Sequence, residues 1–198
     1  MKIEITLLEP MLGTLSGNPE IAKEFIQSKH PNGMQLDELH AETPEAEITK
    51  TSTVFPRENG KVFIWDYQIR GFFKEAFGAI IDSEEFTQEQ LKMVQLTKYL
   101  HKRTVDNQIF VNPRKIFAEF TGETTWCERP LRCMTMQGER ISVARSEELP
   151  AGTKFHCEII IRKDSLADYI TEALDYGQFK GLGQWRNSGR GRFEWKQI

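Results

Sequence analysis

The sequence predicts an antiparallel α+β fold, and three observations carry that expectation. Strand and helix signals run as strand, helical insertion, hairpin, two helices, several strands, helix, strand, unlike the regular alternation of a doubly wound sheet. Residues 67–81 carry a helical stripe of large apolar side chains. The β-rich stretch 125–161 is followed by one helix and one last strand.

Lys2 to Leu7 alternates polar and apolar residues, the pattern of a half-buried strand, and Pro10 and Gly13 end it. Pro19 to Gln27 reads as a helix with Asn18 as cap and proline at the first helical position. Residues 28–48, with Pro31, Gly33 and Pro44, read as a long loop or partly helical insertion. Lys50–Phe55 and Lys61–Tyr67 flank Asn59-Gly60, a strong hairpin signal. In the helix that follows, Ile69, Phe72, Phe73, Ala76, Phe77 and Ile80 share one face, and Arg70 and Lys74 share another.

Thr87-Gln-Glu-Gln90 has the form of a capping box, opening a second helix to about Lys102 with Leu91, Val94 and Leu100 inward. Gln108 to Phe120 reads as an edge or irregular strand interrupted by Pro113. Leu131–Met136 and Arg140–Val143 form a pair joined at Gln137-Gly138, and Lys154–Ile161 is a longer strand. Ser165 to about Tyr176 is helical, with Gly177 where a C-terminal cap belongs, and Arg192–Ile198 closes the chain as a strand. The 198 residues are expected to form one domain, with insertions at about 14–48 and 83–120.

Thirteen Phe and four Trp are enough aromatics for a core and too many for a disordered chain. The net charge of −3 and a pI near 5.9 exclude a generally basic nucleic-acid binder, whose domain pI is typically above about 9. Any RNA contact is therefore a local basic strip on an acidic body. Nothing resembles a signal peptide, and no apolar run is long enough to cross a membrane. Three cysteines, an odd number, fit reduced thiols in the cytoplasm. Cys127, Cys133, Cys157 and His156 lack metal-site spacing, so no metal and no cofactor is expected.

The strongest functional signal is Lys180-Gly-Leu-Gly-Gln-Trp-Arg-Asn-Ser-Gly-Arg-Gly-Arg-Phe-Glu-Trp195. Gly181, Gly183, Gly189 and Gly191 interleave with Lys180, Arg186, Arg190 and Arg192. Exposed N–H groups in such a turn can form an anion-binding concavity that guanidinium groups reinforce. The plainer reading is a turn that feeds the final strand, its arginines paired with acids of the same or a neighbouring chain. Trp185 and Trp195 are expected chiefly to anchor that strand, base stacking being the alternative. Phe63 and Trp65 on the hairpin are expected in the core rather than as stacking platforms.

Three blocks in this order resemble the RAMP superfamily, RNA-binding proteins of CRISPR complexes: Ile69-Arg70-Gly71 with Lys74, Glu148-Leu-Pro-Ala-Gly-Thr-Lys-Phe155, and Gly183 through Phe193. They span roughly the C-terminal two-thirds of the chain. The resemblance implies a ferredoxin-like (RRM-like) antiparallel sheet with helices on one face. It also implies single-stranded RNA, such as a CRISPR RNA, and the protein subunits of a ribonucleoprotein as partners. The implied RNA-binding residues are Arg70, Lys74, Lys180, Arg186, Gly189, Arg190, Gly191 and Arg192, the glycines acting through backbone N–H groups, the helix N-terminus adding its partial positive charge.

Leu8 to Leu15 is similar to small proteins of bacterial viruses and prophages, which favours a second reading. There the fold serves protein contacts, and Asp37, Glu38, Glu42, Glu45 and Glu47 offer an acidic segment to a basic partner. A third reading, a metal-independent endoribonuclease, requires catalysis by one of His30, His40, His101 or His156, none of which lies in a motif. No catalytic residue is assigned.

Overall fold

Alternation in Lys2–Leu7 (β1) sends Ile3, Ile5 and Leu7 into the core, all essentially inaccessible. The structure, a computed structural model, describes residues 1–18, 52–83, 86–135 and 138–198. The helix expected at Pro19–Gln27, the acidic segment at 35–47, His30 and His40 all lie outside the described residues.

After β1 come three short strands, β2 (Met11–Leu12), β3 (Leu15–Ser16) and β4 (Thr53–Val54), then a hairpin of β5 (Arg57–Glu58) and β6 (Lys61–Trp65). Asn59 and Gly60 join the hairpin at φ 51° and 75°, the positive pair that a two-residue type I′ turn requires. Helix α1 (Asp66–Asp82) follows without a break. Its buried face holds Ile69, Phe72, Phe73, Ala76, Phe77 and Ile80, the stripe read from the sequence.

Thr87 caps α2 (Gln88–Met93) through the expected capping box. The helix stops early, because Gln95 takes φ 63°, which no helix tolerates. The chain restarts as α3 (His101–Gln108), so Leu100, expected to point inward, is 40% exposed. Then come β7 (Ile109–Asn112) and β8 (Lys115–Glu119), separated by Pro113, and the long hairpin β9 (Thr125–Thr135) and β10 (Gly138–Leu149). The chain ends with β11 (Lys154–Ile161), α4 (Ala167–Asp175), the short α5 (Gly177–Lys180) and β12 (Phe193–Gln197). Gly177 does not cap α4 but opens α5, where the ring of Phe193 fills the space its side chain would take.

The main sheet runs β12-β1-β11-β8-β6-β5, with β7 also paired to β11. Neighbouring strands are antiparallel throughout. With α1 following β1 and α4 following β11, the central order β12-β1-β11-β7/β8 is that of a ferredoxin-like α+β fold. Residues 109–119, inside the stretch expected as a second insertion, supply strands of this sheet, because Ile109, Val111 and Ile116 alternate into the core. Ile3, Ile5, Phe155, Ile159 and Phe193 join α1 and α4 in one continuous core.

On the opposite face of the sheet, Glu4 gathers Lys154 (3.1 Å), Lys196 (2.9 Å) and His156 (3.0 Å). Hydrogen bonds from Lys196 and Lys154 hold its carboxyl at about 2. A second sheet, β2-β10-β4-β3 with β9 on β10, is fixed to the first by Glu147. That buried carboxylate accepts the Phe55 N–H (2.9 Å) and an ion pair from Arg57. Among the described residues no helix is long and apolar enough to cross a membrane.

Candidate nucleic-acid interface

Helical geometry divides the cations of α1 from those of the glycine-rich loop. Arg70 and Lys74 lie one turn apart and face α3, where both meet Asp106, at 3.2 Å and 2.6 Å. Arg70 also reaches the Asp106 backbone carbonyl (3.3 Å) and lies 5.7 Å from the Phe110 ring centroid. Glu75 is one residue beyond Lys74, about 100° further round the helix, and looks toward the loop. There it pairs with Lys180 (3.0 Å) and with Arg186. Burial raises the affinity of Glu75 for a proton, but these two cations outweigh it and hold the carboxyl below the usual range.

Between α1 and the loop lies a cleft of about 320 Å³, lined by Gln68, Gly71 and Glu75 from the helix and Leu182, Gly183 and Arg186 from the loop. Leu182 anchors the loop in the core, and Leu182 N–H donates to Gly191 O (2.8 Å). Gly191 has φ +72°, and a Cβ there would sit 1.9 Å from Leu182 O, so no other residue fits this crossing.

The far side of the loop rests on the base of the β9–β10 hairpin. Cys127 and Arg129 alternate onto one face of β9, and Glu148 stands near them on β10. Arg190 donates to Glu148 at 2.7 Å and lies 3.9 Å from Cys127 Sγ. Arg129 donates to Gln184 (3.3 Å), and its guanidinium lies 4.9 Å from the Trp185 ring centroid. Arg192 is exposed and has no ion partner among the described residues.

Three expectations need correction. Gly189 N–H donates to Arg186 O (2.9 Å) and Gly191 N–H to Pro10 O (2.9 Å). These donors stitch the loop to itself and to the connection between β1 and β2, and do not line an open anion cradle. The N-terminus of α1 is likewise occupied. Asp66 sits in its first turn, paired with Arg114 at 2.7 Å, its pKa raised by burial against that partner. Finally, the last strand, expected from Arg192, begins only at Phe193, and the positive φ of Gly191 turns the chain between Arg190 and Arg192.

The aromatic expectations divide. Phe63 and Trp65 are buried, as expected, and Trp195 is partly buried with its Nε1–H on Asp175 (2.7 Å). Trp185 is not a core anchor: it is 43% exposed at φ 55°. The sequence marks none of Glu75, Asp106, Glu148 and Arg129 as part of this site. Only the tertiary packing of loop on helix and hairpin makes them neighbours of the cations.

Of the histidines, His101 is buried with Nδ1 on Thr97 O (3.0 Å), and His156 lies between Glu4 (3.0 Å) and Glu119 (3.3 Å). Cys127 and Cys157 are free thiols, and burial pushes Cys157 up to about 12. Among the described residues no group of three or more His, Cys, Asp or Glu is placed to hold a metal ion.

No protein-family model and no curated protein matches the sequence. Solved structures do. A chain of the Type III-B Cmr-beta complex bound to cognate target RNA, determined by cryo-EM, is similar at a TM-score of 0.51 and 11% identity. The match covers 100% of this chain and 58% of that one, so this chain spans little more than half the length of that subunit. A chain of a Type IV-B CRISPR complex matches at a TM-score of 0.47 and 10% identity, covering 98% of this chain and 88% of the other. At 11% identity the first likeness establishes a shared fold.

Proposed function

We propose that this chain is a non-catalytic RNA-binding subunit of a ribonucleoprotein complex of the CRISPR effector kind. It holds single-stranded RNA by the phosphate backbone, chiefly through the glycine-rich loop. One observation carries the reading. Among the described residues, Arg70, Lys74, Lys180, Arg186 and Arg190 share three carboxylates, Asp106, Glu75 and Glu148, and Arg192 pairs with none. That leaves three positive charges in surplus, two at the loop and one on the α3 side of α1, on a molecule of net charge −3. The fold shared with a subunit of an RNA-bound complex supports the same reading.

Partly exposed ion pairs are worth about 0–1 kcal/mol, so exchanging a carboxylate for a phosphate costs little. Guanidinium groups suit the exchange because they engage phosphate oxygens in bidentate fashion. Such contacts fix position and register without reading bases, so little sequence preference is expected. Neighbouring protein subunits complete the complex.

The test is the double variant Arg190→Ala/Arg192→Ala. It reduces the surplus from three charges to one, so the slope of log affinity against log salt should fall from about −2 to about −0.7. Arg192→Ala alone should give most of the affinity loss, since Arg192 has no carboxylate to leave. An unchanged affinity and slope in the double variant refutes the assignment of the loop. The acidic body of the molecule favours a second reading, protein contact alone, which predicts no RNA binding even at low salt.

A further inference from the structure

We propose that the Trp185 indole is a stacking platform for one unpaired nucleobase of the bound RNA, an inference that rests on the RNA-binding reading above. The ring stands in the middle of the cationic loop and is 43% exposed. For an aromatic side chain that leaves on the order of 100 Å² open, about the face of one base. Large apolar surface is ordinarily buried, and Phe193, which opens β12, is fully buried.

The backbone at this position is also unusual. Trp185 takes φ 55°, a region that glycine or asparagine occupies readily and a bulky aromatic does not. Among the described residues only Asn59 and Gln95 share it outside glycine. A strained residue that buries little marks a position held for use rather than for stability.

The surroundings suit a base and its phosphate. The guanidinium of Arg129 lies 4.9 Å from the ring centroid, and that of Arg190 stands off at 6.0 Å. Arg129 has no carboxylate partner among the described residues. Its Nη2 is held by Gln184 (3.3 Å), while Nε and Nη1 are buried and unpartnered. Buried unmade hydrogen bonds are costly, so Arg129 is held beside the indole at a cost to the fold. A guanidinium against an indole also presents an electron-poor, planar edge beside the stack. Trp126, 37% exposed under Arg145 at 4.5 Å, sits in an ordinary strand and serves as a control.

The experiment compares a short mixed-sequence RNA with an abasic ribose-phosphate oligomer of equal length, which carries the same charge and no bases. Wild-type protein should bind the RNA about tenfold more tightly than the abasic chain. Trp185→Gly should lose that preference and keep its salt slope. Glycine suits the left-handed backbone, so this variant keeps the fold. Trp185→Phe should retain part of the preference and Trp126→Ala all of it. If Trp185→Gly still prefers RNA over the abasic oligomer, or wild type binds the two equally, the stacking role is refuted while the phosphate reading stands. If wild type binds neither at low salt, the RNA-binding reading fails and the stacking site falls with it.

Discussion

Glu75 governs how much charge the loop can offer. It neutralises one charge between Lys180 and Arg186, and together those cations keep its carboxyl ionised below the ordinary glutamate range. Removing that charge without changing shape frees both cations. Glu75→Gln should therefore bind RNA several-fold more tightly, with a salt slope steeper by about 0.7. Weaker binding, read by titration at two ionic strengths, would mean that the carboxylate positions the cations rather than restraining them. At this scale the sequence was informative about cations and silent about their partners. Arg186 and Arg190 announce themselves between glycines, but Glu75 and Glu148 lie 111 and 42 residues away along the chain. The exposure of Trp185 was equally hidden, since an aromatic beside a terminal strand ordinarily packs under it.

The elements divide along the same line. Helix α1 was legible because six apolar side chains share one face, and the Asn59-Gly60 turn because its backbone demands those residues. The end of α2 was not, because nothing local in Gln95 advertises its left-handed backbone. The glycine-rich loop was visible as a motif, yet the use of its N–H groups depended on where Pro10 passes.

Two predictions belong to the elements. Gly191→Ala must move the loop off Leu182 and adopt a strained φ, and should cost at least about 3 kcal/mol in denaturant unfolding. A cost below about 1 kcal/mol would show that the crossing is loose.

The second concerns the open face of the sheet. The folded pKa of Glu4, about 2, lies below its ordinary value of 4.5. The unfolded chain therefore takes up the proton first as pH falls. The stabilisation is fully present above about pH 4.5 and is lost progressively toward pH 2. Unfolding midpoints of Glu4→Gln should show a shallower fall across that window than wild type. An identical pH profile would contradict the ion-pair cluster of β1, β11 and β12.

For the molecule as a whole, the succession of strand and helix signals was enough for an antiparallel α+β fold. The order β12-β1-β11-β7/β8 was not readable from that succession, because strand order is set by how α1 and α4 cross the sheet, and only the resemblance of the three sequence blocks implied it. The same holds for charge. A net −3 argues against nucleic acid, and only the folded chain reveals, among the described residues, five cations sharing three carboxylates with Arg192 paired to none. The first measurement is therefore binding of a fluorescent mixed-sequence single-stranded RNA across a salt series, with the same RNA run on a gel. Binding of intact RNA whose log affinity falls with log salt at a slope near −2 is the expected result. Absence of binding at low salt, or affinity indifferent to salt, would contradict the RNA-holding loop. Cut RNA would show the chain to be a nuclease.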